Sequence, residues 1–333
     1  MAVRLGRSAV VTDTGRRRRR NEDSYVCEPP LFAVADGMGG AQAGEVASRL
    51  AAAVLEEANR DELREERIVE LIQEANRRVF QRSSEDPAAS GMGTTMTVAV
   101  TGPDGNVSIG HVGDSRAYRI REGGLEQLTK DHSLVGELMR SGKLSPEEAE
   151  SHPQRSVITR AVGTEPDVDV DTFSVDTEPG DVFLLCSDGL TDMVSDDTIQ
   201  SVIAAGDDDL ERAARELVEA ANSSGGEDNI TVLVFEIVAE SGSDAEDTVH
   251  LAPAAVPDAD VDADDAKDTL DELDAVPVVD TAVVPAAAIE EHLRREGAEQ
   301  QPEARSRRHV LPLVLLLLLL AVIAVLVVWG LYR

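Results

Sequence analysis

After residue 240 the chain loses the means to build a core. Residues 241–304 carry 18 acidic residues, 3 basic residues (Lys267, Arg294 and Arg295) and no aromatic side chain. Such a segment repels itself and has too little large apolar surface to offset the entropy of ordering, so it reads as an extended, disordered acidic linker. Residues 310–331, VLPLVLLLLLLAVIAVLVVWGL, are then uncharged for 22 residues. The hydrocarbon core of a bilayer takes about 20 residues of helix. Arg305, Arg307 and Arg308 precede this run, and only Arg333 follows it. The bias of basic residues toward the cytoplasmic side predicts a single-pass membrane protein with its N-terminal part in the cytoplasm, and Trp329 and Tyr332 suit the far interface. The expected organisation is a globular domain over 1–240, a linker over 241–304, and a basic flank with a transmembrane helix over 305–333.

The formal net charge of the 333 residues is −33. An excess of that sign excludes nucleic acid as an expected partner, because phosphate backbones are bound by Lys and Arg. Cys27 and Cys186 are the only cysteines, so no disulfide framework is expected. The opening residues, MAVRLGRSAVV, have no long apolar stretch of the kind a secretory signal needs.

Within 1–240, strand-like runs come in pairs. TTMTVAV and VSIGHVG flank TGPDGN, AYRIRE and LEQLT flank a Gly-Gly turn, and DVFLLCSD and NITVLVFEI are further strands. Helical spacing joins Ala47, Leu50, Ala51, Val54 and Leu55. It joins Ile68, Leu71, Ile72, Ala75 and Val79, and again Leu210, Ala213, Ala214, Leu217, Val218 and Ala221. SPEE at 145–148 is a capping box with Pro146 at the first helical position. Hairpins alternating with helix pairs predict antiparallel sheets covered by helices rather than a βαβ repeat.

The chemistry-bearing residues sit where strands end. LFAVADGMGG, residues 31–40, runs apolar into Asp36 and then into glycine. HVGDSRAY puts Asp114 between two strands, FLLCSDGL puts Asp188 after a third, GGEDNITV puts Asp228 before a fourth, and RNEDS puts Glu22 and Asp23 ahead of the first pair. Singly, each reads as a turn residue. Together they predict a carboxylate cluster at one rim of a sheet sandwich, and such a cluster needs a cation or raised pKa values. An oxygen-only set selects hard ions such as Mg²⁺ or Mn²⁺. One carboxylate bridging two such ions, with water between them, suits phosphoryl chemistry. GRRRRRN at 15–21 supplies guanidinium groups for a phosphate just before Glu22.

RRRRNED, LFAVADGMGGAQAGE, GMGTT, HVGDSRAY, CSDGL and EDNITV stand in this order over about residues 5–238. In order and spacing they resemble the metal-dependent Ser/Thr protein phosphatases of type 2C (PPM), most of all bacterial members with a C-terminal membrane anchor. The resemblance implies an α+β fold, a four-layer αββα sandwich of two antiparallel sheets flanked by helices, to which the C-terminal transmembrane helix adds. It implies two Mn²⁺ or Mg²⁺ ions, with a third and weaker metal. By motif position Asp36 bridges both metals, the Gly37 carbonyl binds one, and Asp188 and Asp228 complete the other. Glu22 acts through a metal-bound water, Arg18 holds the substrate phosphate, and Asp114 binds the third metal with Asp188. TKDHS…SHPQRSVITRAVG, residues 129–163, is similar to the family's mobile flap, from which Ser156 contributes.

The implied reaction is hydrolysis of phosphoserine and phosphothreonine on proteins by a metal-bridging water, without a phosphoenzyme. The implied partners are phosphorylated proteins, including the membrane Ser/Thr kinases such enzymes oppose, or else a phosphoserine regulator of transcription. Arg17, Arg18, Arg19 and Arg20 all fall in reach of the phosphate. A metal-bound water and a histidine are both open as the general acid, with His111 reading as a strand residue. The sequence assigns neither Mn²⁺ over Mg²⁺ nor an oligomeric state.

Other phosphate-handling motifs fail. GGAQAGE at 39–45 has P-loop glycine spacing, but Glu45 stands where Lys is needed, and Gln42 breaks a GxGxxG reading. Asp192 stands where a cysteine phosphatase would carry Arg after Cys186, which reads as a small buried hydrophobe. The rival from another class is a phosphoprotein-binding module without turnover. A buried acid cluster with no metal disfavours it on cost.

Overall fold

The computed structural model describes residues 2–240, except 40–42, 61–62, 104, 151 and 207–208, together with 282–283. Strands β1 (Val3–Asp13), β2 (Asp23–Glu28) and β3 (Leu31–Met38) lead to helices α1 (Ala43–Glu56) and α2 (Glu65–Glu85). The short β4 (Gly93–Thr94) precedes β5 (Met96–Thr101), β6 (Val107–Val112), β7 (Arg116–Arg121) and β8 (Gly124–Gln127). An excursion follows, with α3 (Leu134–Arg140), α4 (Pro146–Glu150) and β9 (Val157–Ile158). The chain returns through β10 (Asp171–Val175) and β11 (Val182–Cys186), then α5 (Asp188–Thr191), α6 (Asp196–Ala205) and α7 (Leu210–Ser223), and ends its domain on β12 (Ile230–Ala239). In the acidic segment the described residues are β13 (Ala282–Val283), which pairs in parallel with β9.

The strands form two antiparallel sheets. One has the order β1-β12-β11-β7-β8 and the other β10-β6-β5-β3-β2, with β4 added to β3. Side chains alternate across a strand, so each central strand feeds two cores. On β3, Leu31 and Ala33 face α1 and α2, whereas Phe32 and Val34 face the other sheet. On β11, Leu184 and Cys186 face α6 and α7, whereas Phe183 and Leu185 face inward between the sheets. Burial on both faces explains why these strands read as continuous apolar runs. Phe235 stacks between its neighbours, with ring centroids 4.3 Å from Phe32 and 5.1 Å from Phe183. Helices, sheet, sheet and helices therefore make four layers with three apolar cores.

The capping box is formed as read: the Ser145 N–H donates to Glu148 Oε2 at 2.8 Å, and the Glu148 N–H donates to Ser145 Oγ at 3.3 Å. Among the described residues no helix is long and apolar enough to cross a membrane. The expected transmembrane run, 310–331, lies outside the described residues, as does the expected linker apart from Ala282–Val283.

Candidate active site

The parity that builds the cores also aims the acids. Asp36 shares the inward face of β3 with Phe32 and Val34, and it pairs in register with Asp23 on β2. The space between the sheets thus ends in two adjacent carboxyl groups. From the opposite sheet, Ser187 and Thr231 donate their hydroxyls to Asp23 Oδ2 at 2.8 Å and 2.6 Å. Asp188 opens α5 directly after Ser187, and Asp228 lies two residues before β12. Asp114 lies in the turn by which the chain crosses from β6 in one sheet to β7 in the other. The expected acids thus collect at one rim of the sandwich.

Glycine follows Asp36 for a steric reason. A Cβ on Gly37 would lie 2.1 Å from the Gly44 carbonyl oxygen and 2.7 Å from that of Glu22. The reciprocal position on Gly44 would lie 2.4 Å from Glu22 Oε2 and 2.7 Å from the Gly37 oxygen. The Glu22 carboxylate and the Gly37 carbonyl therefore share one small space at the start of α1. Asp36 itself is held by Thr95, whose hydroxyl accepts from the Asp36 N–H at 2.9 Å and whose own N–H donates to the Asp36 carbonyl at 2.8 Å.

The arginine run is a clamped loop. Gly226 O accepts from the Arg16 and Arg17 N–H groups at 2.7 and 3.2 Å. The Asn229 amide donates to Thr14 O and Arg20 O, and its oxygen accepts from the Glu22 N–H. Gly15 has φ +79°, and a Cβ there would meet Asp228 O at 2.1 Å. Arg16, Arg17, Arg19 and Arg20 are exposed, while Arg18 is half-buried and donates to Asp228 Oδ2 at 2.8 Å. Burial works to lower the Arg18 pKa, but Asp228, Asp36 and Glu22 raise it further than burial lowers it.

Burial, followed by repulsion from Asp23, Asp188, Asp228 and Asp114, drives the Asp36 pKa well above the carboxylate range. Asp188 rises for the same reasons, burial first and Asp114 and Asp228 next. Burial lifts Asp23 to about 6 against the two hydroxyl bonds that lower it, and lifts Asp114 to about 7 with help from Asp131 and Asp192. One oxygen each of Asp23, Asp114 and Asp188 is buried with no hydrogen-bond partner. Buried carboxylates left in this condition are costly unless a cation or a proton satisfies them. Among the described residues no three acidic, histidine or cysteine side chains already stand as a finished metal shell. The carboxyl groups instead crowd against one another, with Asp36 repelled by both Asp23 and Asp188. The donor set is all oxygen, crowded and short of positive charge, and it fits hard divalent cations.

Ser156 falls in the turn before β9. Its neighbour Arg155 reaches Asp192 at 3.9 Å and Glu227 at 3.8 Å, which sets this excursion against the rim. His111 is fully buried, with Nδ1 2.9 Å from Thr97 Oγ1 and Nε2 3.2 Å from Lys130 O, and burial takes its pKa down to about 3. Burial of Cys186 pushes its thiol up to about 12.

The motif reading gave no role to three residues. Asp23, beside Glu22 in sequence, is the first of them, and its carboxylate accepts from Ser187 and Thr231. Asp192, just past α5, is raised chiefly by burial. His132 accepts the Gly113 N–H on Nδ1 at 3.0 Å, and its Nε2 lies 3.0 Å from Arg160 Nη1 and 3.3 Å from Asp171 Oδ2. Its backbone also ties Gly113 to Thr159, linking the Asp114 turn to the excursion. Only the alternation of Asp23 with the inward face of β2 was available as a signal.

Residues 17–230 match the family model described as Protein phosphatase 2C. The serine/threonine phosphatase stp of Listeria monocytogenes is 42% identical over 247 residues, spanning 70% of this chain and 97% of that protein. The crystal structure of the Mycobacterium tuberculosis serine/threonine phosphatase PstP/Ppp is similar at a TM-score of 0.66 and 37% identity, covering 72% of this chain and all of that one. A structure of the PstP catalytic domain in complex with 2 manganese ions is similar to the same degree, covering 71% of this chain. The chain belongs to the protein phosphatase 2C family. It is a protein-serine/threonine phosphatase, and its reaction is metal-dependent hydrolysis of phosphoserine and phosphothreonine.

Proposed function

We propose that Asp36 bridges two divalent cations, Mn²⁺ or Mg²⁺. On this reading the Gly37 carbonyl holds one of them, with Glu22 acting through water. Asp188 and Asp228 hold the other, and Asp114 with Asp188 holds a third, weaker one. The observation that carries the reading is the crowding of Asp23, Asp36, Asp114, Asp188 and Asp228, whose repulsion raises Asp36 far above its ordinary range. Bound cations supply an activated water and neutralise charge on the phosphoryl oxygens.

The chain's own residues do the rest. Asp23, held by Ser187 and Thr231, keeps Asp36 at the end of its strand. Arg18 gives its charge to Asp228 in this structure. In the complex its planar guanidinium turns to the phosphate, which it suits by forming two parallel N–H bonds. Ser156 approaches from the excursion.

The same proposal sets the enzyme at the cytoplasmic face of a membrane, tethered through 241–304 to the span 310–331 and opposing membrane Ser/Thr kinases. The uncharged run and the arginines before it support this reading. Calorimetric titration of the whole protein with Mn²⁺ tests the site. Two sites and a weaker third are expected, with Asp114→Asn removing only the weak one and Asp36→Asn removing the tight pair. Tight binding that survives Asp36→Asn contradicts the bridging role. Recovery of the chain in the soluble fraction after alkaline extraction of membranes contradicts the anchor.

A further inference from the structure

Five consecutive arginines stand in a chain of net charge −33, yet only one of them turns into the site. Arg16, Arg17 and Arg19 are exposed and have no ion-pair partner among the described residues. The nearby acids are engaged elsewhere: Glu45 with Arg49 at 3.0 Å and, more loosely, with Arg20 at 3.8 Å, and Glu227 with Arg155 at 3.8 Å. The loop carrying the arginines is rigid, because Gly226, Asn229 and Asp13 bind its backbone at residues 14, 15, 16, 17, 20 and 22. A flexible basic tail would lose more freedom on meeting a ligand than this preorganised one.

We infer that Arg16, Arg17 and Arg19 form a cationic rim that selects phosphoprotein segments with further acidic or phosphorylated residues close to the phosphoamino acid being hydrolysed. The inference rests on Arg18 as the phosphate ligand. Successive Cα atoms are about 3.8 Å apart, so the rim begins one residue from that ligand on either side. An extended substrate advances about 3.3 Å per residue. The long arginine side chains extend that offset, so acids two to four positions from the phosphoamino acid come within reach of the flanking guanidinium groups. The rim also answers a problem of approach. The domain as a whole repels acidic partners, and a local patch of the opposite sign restores their encounter rate at the site.

The test uses the full-length protein with excess Mn²⁺ and two phosphothreonine peptides. One is flanked by alanine, and the other carries glutamate two to four residues away on both sides. The readout is the ratio of their kcat/KM values. In the wild type the acidic peptide is expected to be favoured about 10-fold at low salt, as a few exposed ion pairs provide, chiefly through KM, with the preference shrinking as salt rises. The triple variant Arg16→Gln, Arg17→Gln, Arg19→Gln is expected to bring the ratio to about 1. Arg19→Gln alone gives the same readout in part if the triple variant does not fold.

A wild-type ratio near 1, or a ratio unchanged in the variants, overturns the inference. So does a triple variant that keeps its peptide ratio and loses binding to anionic phospholipid vesicles, which assigns the arginines to a lipid surface. Arg18→Ala separates the premise: if it leaves both peptides turned over at wild-type kcat/KM, the phosphate-ligand reading fails even where the rim's preference stands.

Discussion

The layer between the two sheets has a middle and a rim, and the same alternation of side chains builds both. In the middle, Phe32, Phe183 and Phe235 stack with Leu185 and Leu233, all fully buried. At the rim, one or two alternations further along the same strands, stand Asp36 on β3, Ser187 after β11 and Thr231 on β12. Burial in the middle stabilises the fold at about 25 cal/mol per Å² of apolar surface. Burial at the rim has the opposite sign, since it raises Asp23, Asp36, Asp114 and Asp188 out of their normal range. The middle holds the two sheets rigidly apart, and the rim uses that rigidity to keep mutually repelling groups within reach of one another. A chain selected for stability alone would not end its best-packed strands this way.

Substitution at the rim and in the middle should therefore have opposite effects. The largest expected effect is from Asp36→Asn, which lowers phosphatase turnover by about 10³-fold or more if the residue bridges both cations. The melting temperature of the metal-free protein should stay level or rise, because Asn keeps the shape of the carboxyl group and is neutral there without having to take up a proton. Retention of most of the activity breaks the comparison at its strongest point. Phe235→Ala should do the reverse, with a loss of about 3–5 kcal/mol in unfolding free energy measured by urea titration. The folded fraction should bind Mn²⁺ as before.

Third is the pH dependence of the metal-free domain. Asp23 at about 6 and Asp114 at about 7 lie above the ordinary value of 3.8. The native state therefore binds protons that the unfolded chain has released, and stability falls as pH rises through that window. Between pH 5 and pH 8 this amounts to a loss on the order of 4 kcal/mol, seen as a lower melting temperature at pH 8 that Mn²⁺ restores. A melting temperature independent of pH, with no response to Mn²⁺, would show that the acids do not strain the fold. Smallest is Arg18→Ala, for which a rise in KM of about 10- to 30-fold is expected with Mn²⁺ affinity preserved, the loss of one charged hydrogen-bond donor. Loss of the metal response would move Arg18 from the phosphate to the cations it reaches through Asp228.

The central strands and the main helices were legible because each has a single clear period. The runs over 43–56, 65–85 and 210–223 bury the spaced residues the pattern named, except Leu50 and Leu210, which are half-buried at the edges of their cores. Both hairpins, β5–β6 and β7–β8, form, but the second turns on Glu122-Gly123 rather than Gly-Gly, because Gly124 already pairs with Arg121 and Glu122 takes the left-handed φ of +50°. β1 was not legible. It pairs along β12 for most of its length, but a register shift between Leu5 and Ser8 breaks the alternation that would have marked it. At the site, strand-end acids followed by glycine could be read because rigid placement and close backbone approach both leave traces in sequence. The direction of each arginine could not. Five identical side chains in a row carry no period, and the backbone bonds from Gly226 and Asn229 turn Arg18 inward. His132 was hidden for a related reason: its partners, Gly113, Thr159 and Asp171, are distant in sequence and meet only when the excursion folds back.

The most direct measurement is phosphate release from a phosphothreonine peptide by the whole protein, with Mn²⁺, with Mg²⁺ and with chelator, for the wild type and Asp36→Asn side by side. The account predicts release by the wild type with metal, none with chelator, and almost none from the variant under any condition. Release that persists in chelator, or that Asp36→Asn leaves intact, would contradict the claim that the rim acids work by holding divalent cations.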